Sequence, residues 1–299
     1  MKLRRFIQLS GKLAFLGLLG IPMFFSDWAG WRFFWLFWLL ALAQIIFAPR
    51  FFVQLLQQMG GLIIAEVKHK PLPDMVSFTP KVRYSSPFEG KWAVINGGVS
   101  KETSHSWDIF SQRYAYDFII LQENSDSIPK SFGGDIHDLT SYYCYDKEVL
   151  APADGVVVDV RKNCGDSLIM GCGKTDPIVK DIRGNYITIR HAEGEYTVLA
   201  HLKPGSISVK VGDEVKGKQP IARCGNSGNS TEPHLHFQLQ NTRSFYTSAG
   251  LPLHFEGIES EPISNYAKLD PRPTEDVTPP FISRGRRIWN QEEAGKTNE

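Results

Sequence analysis

Between about residues 88 and 245 the chain runs as short apolar segments, KWAVIN, RYAYDFIIL, GVVVDVR, GNYITIRH, YTVLAHL and HLHFQLQ, cut apart by Gly, Asn and Asp. Segments this short, rich in β-branched and aromatic residues and bounded by turn formers, read as strands. The pairs Asp154-Gly155, Gly184-Asn185, Gly212-Asp213 and Gly225-Asn226 supply residues that tolerate positive φ at the turns. No long helical periodicity interrupts them, so the expected fold class is an all-β domain with an antiparallel sheet core. A length of 299 residues leaves room for one such domain with extensions.

The first fifty-five positions obey a different rule, because Phe and Trp are crowded there. Lys2, Arg4, Arg5 and Lys12 precede an apolar run from Leu13 to Phe25, which contains Pro22. A second run, WRFFWLFWLLALAQIIFA, starts almost at once, with Trp at its head and Pro49-Arg50 at its end. No small-residue cleavage site separates the runs, so a removable signal peptide is disfavoured. The second run has about the ~20 residues a bilayer crossing needs, and a transmembrane helix is expected over 31–48. The first either spans by extending back to Phe6 or lies in the interface, which gives a single helix or a helical hairpin. A basic N-terminus favours the cytoplasm, so one crossing places the rest of the chain outside and two crossings return it inside. Residues 51–65 are amphipathic enough to lie on a membrane, although Gln54, Gln57, Gln58 and Gly60-Gly61 argue against a span.

The expected layout is a membrane anchor over 1–50, an amphipathic segment and linker over 51–87, the β domain over 88–245, and an extension over 246–299 whose Pro-rich, charged end from 270 onward reads as loosely ordered. A net charge of +1 leaves no basic surface for nucleic acid. The lipid bilayer is the partner that the first fifty residues imply. Cys144, Cys164, Cys172 and Cys224 form no C-x-x-C pair. Cys164 and Cys172 either close a hairpin-like disulfide in an oxidising compartment or stay as buried free thiols.

The segment GNSGNSTEPHLHFQLQ carries the densest chemistry. Strand alternation projects His234 and His236 from one face, a geometry that suits a shared metal site. Asp117 sits inside an otherwise apolar strand, where an unpaired carboxylate is costly and a ligand role explains it. Another strand ends on His201. His191 reads as an exposed turn residue and His69 as interfacial, and no role is assigned to His254.

YTVLAHL, followed by SVKVGDEVKGKQPIARCGNSGNSTEPHLHFQL, resembles the LytM and lysostaphin-type zinc endopeptidases, and VLAPADGVVVDV and GNYITIRH extend the likeness over roughly residues 92–240. The resemblance implies a duplicated-hybrid-motif-like β domain with Zn²⁺ in a groove, held by a His, Asp117 and His236, and with His201 and His234 as the proton-handling, catalytic pair. A catalytic zinc with three protein ligands keeps a position for water. The family places its first ligand four residues before the Asp, but here that position is Arg113, which cannot ligate zinc. The local sequence resembles a variant in which an upstream His substitutes, here His105; His137, His191 or an incomplete site are the alternatives. Arg113 itself would orient Asp117, bind a substrate carboxylate or be a surface cation.

The expected activity is peptide-bond hydrolysis in peptidoglycan cross-links or stem peptides, on a bacterial cell membrane with the catalytic domain extracytoplasmic. Two alternatives remain at this point: a catalytically inert relative that binds peptidoglycan or regulates another hydrolase, and a membrane-bound processing peptidase with a narrow substrate.

Overall fold

The computed structural model describes residues 2–291 apart from 27, 48, 123–127, 172 and 177. Its first half-hundred residues are helical: α1 (Lys2–Ala14) continues as a 3₁₀ segment over Phe15–Phe24, and a second such segment over Ala29–Phe37 continues as α2 (Trp38–Phe47). The two arms pack as a hairpin, with the Trp35 indole donating to the Gly20 carbonyl at 3.2 Å. Glycine is required where the indoles cross, because a Cβ on Gly17 would stand 2.7 Å from Trp38 Nε1. Among the described residues, Arg5–Phe24 and Ala29–Phe47 are long and apolar enough to cross a membrane by length and composition. The second matches the helix expected over 31–48, of which Ala48 lies outside the described residues. The segment after it is a full helix, α3 (Pro49–Lys68).

The strands are β1 (Trp92–Asn96), β2 (Tyr116–Ile119), β3 (Glu148–Leu150), β4 (Gly155–Arg161), β5 (Asn185–Ala192), β6 (Glu195–Leu202), β7 (Glu214–Val215), β8 (Pro220–Arg223), β9 (Leu235–Gln240), β10 (Ile258–Pro262) and β11 (Arg286–Asn290). A one-turn helix, α4 (Tyr266–Leu269), links β10 to β11. Among the described residues, nine strands pair in the order β10-β11-β1-β2-β9-β6-β5-β4-β7, with β3 and β8 as a separate ribbon. Every pairing between these strands is antiparallel, as the short hairpin-like segments predict.

Alternation sorts the side chains into two faces. Tyr116 and Phe118 of β2, Leu235, Phe237 and Leu239 of β9, and Ile187 and Ile189 of β5 all enter one buried core, shared with the β3–β8 ribbon. The opposite face carries Asp117, His236 and Gln238 together with a small satellite core of Tyr186, Val198, Ala200 and Phe245. The part of the chain beyond 270 is more ordered than its composition suggests: β11 pairs with β1, Trp92 opposite Ile288, and with β10, so its apolar residues find partners. Residues 292–299 lie outside the described residues.

Cys144, Cys164 and Cys224 are buried and free. Cys172, the other half of the disulfide that the sequence allows, lies outside the described residues.

Candidate metal centre

The site is assembled on three adjacent strands. Asp117 on β2 stands directly opposite His236 on β9, and His236 stands opposite Ala200 on β6. Residues directly opposite in an antiparallel ladder share a face, so the register alone brings carboxylate and imidazole together. Ala200 has nothing beyond Cβ, which leaves open space beside the His236 ring.

On the outer side a β-bulge in β1 matters. Val94 faces Phe118, but Asn96 faces Asp117, so one extra residue in β1 turns Asn96 from the core face to the site face. Its amide then donates to Asp117 Oδ2 at 3.0 Å. Asn96 Oδ1 in turn accepts from Arg272 at 2.9 Å, so a cation from the segment after α4 is linked to the site through one amide.

His105 comes from the loop between β1 and β2, where Ser104 Oγ donates to the Arg113 carbonyl at 2.8 Å and closes the loop. Its Nε2 stands 3.6 Å from Asp117 Oδ2, with the ring 24% exposed. Arg113, at the position where the resembled family has its ligand, turns away. Its guanidinium lies over Trp107 and Phe110 and donates to the Trp107 carbonyl at 3.1 Å, which makes it a clip for the His105 loop.

His105, Asp117 and His236 therefore present one ligand atom each, all within 4.8 Å of one another. Hydrogen bonds decide which nitrogen His236 offers. The Gln238 amide nitrogen donates to the Ser111 carbonyl and to Gln240 Oε1, so its oxygen must point at His236 Nε2, 2.9 Å away, and accept from it. Nδ1 of neutral His236 is then a lone pair facing Asp117 Oδ1 at 3.0 Å. Two acceptors at that distance repel unless a proton or a metal cation joins them, so this donor set fits a metal ion. The same contact controls the charges. Burial pushes the His236 pKa down, but the bond to Asp117 outweighs it and leaves it raised. Burial of Asp117 is overcome by His105, His234 and His236, which hold its carboxyl well below the usual range. Desolvation leaves His105 below its ordinary value despite Asp117.

The other two histidines complete the cavity floor. His201, the next-to-last residue of β6, has a left-handed backbone, φ 61°, which costs about 1–2 kcal/mol for an L residue and re-aims a ring that plain alternation would send to the core. Its Nδ1 lies 2.8 Å from the Ser227 carbonyl, so Nδ1 carries the hydrogen and Nε2 is the free base. His234 Nδ1 likewise meets the Glu232 carbonyl at 2.8 Å, and its Nε2 stands 3.7 Å from Asp117 Oδ1. The two rings are 4.6 Å apart. Burial, reinforced by the neighbouring His234 and His236, drives the His201 pKa well down, so it is neutral near neutral pH. The cavity above these groups holds about 440 Å³, and one wall is made by Gln54, Leu55 and Gln58 of α3.

All five residues expected at the site thus meet here. His137 and His191 do not line the cavity. His137 is exposed, 3.2 Å from the Ile169 carbonyl. His191 is a strand residue of β5 rather than a turn residue, held at both nitrogens by the Asp154 carbonyl and Thr197 Oγ1 at 2.7 Å each, and burial lowers its pKa to about 4. His69 bridges the Thr247 carbonyl and the Asn241 amide, tying the end of α3 to the β domain. Sequence reasoning missed Asn96 and Gln238. Gln238 was legible, because HLHFQLQ puts it on the face of His234 and His236; Asn96 was not, because the bulge that turns it leaves no local mark.

Residues 137–247 match Peptidase family M23. The match takes in His201, His234 and His236 and begins after Asp117, so the variant half of the site, with His105, lies upstream of it. The chain is 50% identical over 56 residues to an uncharacterized metalloprotease of Buchnera aphidicola, covering 19% of this chain and 14% of that protein. It is 43% identical over 56 residues to the peptidoglycan DD-endopeptidase ShyA of Vibrio cholerae, covering 19% of this chain and 13% of that protein. Among solved structures it is similar to the catalytic domain of lysostaphin from Staphylococcus simulans, at 23% identity and a TM-score of 0.29, over 54% of this chain and 88% of that one. The matched stretches thus cover about a seventh of the curated relatives' length. Residues 137–247, with the H-x-H strand inside them, are thus the part of the chain that matches Peptidase family M23.

Proposed function

We propose that the chain is a membrane-anchored zinc metalloendopeptidase that hydrolyses peptide bonds in peptidoglycan cross-links or stem peptides. The observation that carries this reading is the three-donor cluster of His105, Asp117 and His236 beside two further histidines whose free nitrogens face the same cavity. One carboxylate and two imidazoles make a borderline-soft set that suits zinc and leaves a coordination position open. A zinc ion there would supply Lewis-acid polarisation of the scissile carbonyl and of a water molecule.

The remaining work falls to the protein's own groups. His201 and His234 each have Nδ1 committed to a main-chain carbonyl, so each offers Nε2 as a base that takes a proton from the attacking water and returns it to the leaving amine. Once protonated, either imidazolium steadies the negative charge of the tetrahedral oxyanion. Asp117 stays ionised because three histidines surround it. The complete donor set argues against the catalytically inert alternative. Peptidoglycan as substrate requires the β domain on the extracytoplasmic face; the N-terminus shares that face if both apolar helices cross, and lies inside if one does.

The test uses full-length protein in detergent, with His105→Ala and His236→Ala variants beside it. About one zinc per chain is expected, lost in both variants together with cleavage of a glycine-containing peptidoglycan peptide. Wild-type protein with neither zinc nor cleavage would refute the enzyme reading.

A further inference from the structure

The helix α3 is amphipathic in an inverted sense. At about 100° per residue, Gln54, Gln58, Gly61 and Ala65 fall on one side and Leu56, Met59, Ile63 and Val67 on the other. The polar and small side is the one docked on the β domain. Gln54 Oε1 accepts from the Ile182 amide at 2.6 Å, Gly61 lies against the Tyr246 carbonyl with no room for a Cβ, and Ala65 is buried. The apolar side is turned outward: Val53, Leu56, Met59, Ile63 and Val67 are each between 51% and 78% exposed.

We infer that this outward face lies in the surface of the lipid bilayer, so that α3 is at once a wall of the catalytic cavity and the plane on which the β domain rests. Three observations select lipid as the occupant. First, α3 begins at Pro49, directly after the apolar helix Ala29–Phe47, so its first turn stands where a spanning helix leaves the membrane. Second, an apolar helix face continuous with that exit is the pattern of an in-plane interfacial helix. Third, a crevice of about 620 Å³ at the start of α3 is lined by Arg50, Arg161, Lys180 and Arg183, with Asp181 as its only acid among the described residues, and a crevice of that sign suits headgroup phosphates. Gln54 and Arg183 line both this crevice and the catalytic cavity.

The consequence deepens the proposed function and rests on it. Gln54, Leu55 and Gln58 line the cavity from α3, so the catalytic groups sit about one helix diameter, ~10 Å, from the bilayer surface. The substrate class that this selects is a peptide presented at the membrane, tethered to it, in preference to the same peptide free in solution.

Full-length protein in vesicles of phosphatidylcholine and phosphatidylglycerol, carrying a photo-crosslinking amino acid at Ile63 or at Val211, tests the lipid contact. Val211 is an exposed control: its neighbour Gly212 donates its amide to the Val157 carbonyl of β4, whereas Arg161, ~13 Å farther along that strand, lines the α3 crevice. Acyl-chain adducts at 63 in about tenfold excess over 211 are expected; equal yields, or adducts at 63 to a second protein chain, would overturn the inference. In a second arm, Met59→Glu with Ile63→Glu should lower by at least fivefold the ratio of cleavage of a vesicle-tethered peptide to that of the free peptide, leaving the free-peptide rate as it was. An unchanged ratio overturns the substrate preference. If wild-type protein cleaves neither peptide, the hydrolase reading fails, and the crosslinking arm still decides the membrane face.

Discussion

Replacing Gln238 by Met removes every polar atom from a buried side chain of nearly unchanged length. The amide is 1% exposed and makes three hydrogen bonds, accepting from His236 Nε2 at 2.9 Å and donating to the Ser111 carbonyl at 3.1 Å and Gln240 Oε1 at 2.6 Å. Without it nothing holds the hydrogen of His236 on Nε2, so the imidazole no longer keeps Nδ1 aimed at Asp117 as a lone pair. Loss of such an orienting partner weakens metal binding by about 10- to 100-fold, or roughly 1.4–2.7 kcal/mol. Folding suffers separately. The Ser111 carbonyl and the His236 N–H are left unpaired in a dry interior, at about 1–3 kcal/mol each. Competition against a chromophoric chelator gives the zinc affinity, and urea unfolding of the metal-free protein gives the stability. An affinity within about twofold of wild type would refute the claim that Gln238 sets the His236 tautomer.

Two more outcomes follow from the same geometry. Gly184 has φ 66°, and an added methyl would fall on the Ser227 carbonyl that holds His201, so Gly184→Ala should cost about 2–5 kcal/mol of stability and lower kcat while zinc content stays intact; full turnover in a zinc-loaded variant would show that the Ser227 contact is idle. Zinc binding should release about one proton near pH 6.5, because metal and proton compete for His236 Nδ1. The sign is fixed by the direction of the shifts. The raised His236 pKa stabilises metal-free protein below its ordinary value of 6.5 and ceases to as pH rises through the raised value, whereas the depressed Asp117 pKa stabilises above 3.8 and fails as pH falls. Zinc affinity therefore weakens on acidification, and calorimetry in two buffers of different ionisation enthalpy reads the proton count; no proton released would mean His236 is already neutral.

The strand pattern and the His234–His236 face were legible in the sequence because both depend on a period of two that local spacing displays. Asp117 was legible through its cost, as a charge within an apolar strand. Asn96 and Arg272 were not, since one needs a bulge and the other a chain reversal through β10 and β11 to arrive beside Asp117. Arg113 shows the limit of reading by position: where the resembled family has a ligand it stacks on Trp107, and it is His105, eight residues earlier in the chain, that stands beside Asp117. The left-handed backbone of His201 was equally invisible, because no residue type announces it. For α3 amphipathicity was legible without its direction, and only docking reveals that the polar side faces inward.

The pairing of β1 with β11 has a consequence for synthesis. Trp92 meets Ile288, and a chain made at ~5–20 residues per second takes roughly 10–40 s to deliver the second after the first. During that interval β1 has an open edge, and Asn96 lacks the arginine that steadies it. The chain therefore emerges with its sheet half-sealed and exposed to other strands. Until β11 arrives, that open edge is where another chain can pair with the sheet, so the last strand to be made also serves as its seal against aggregation.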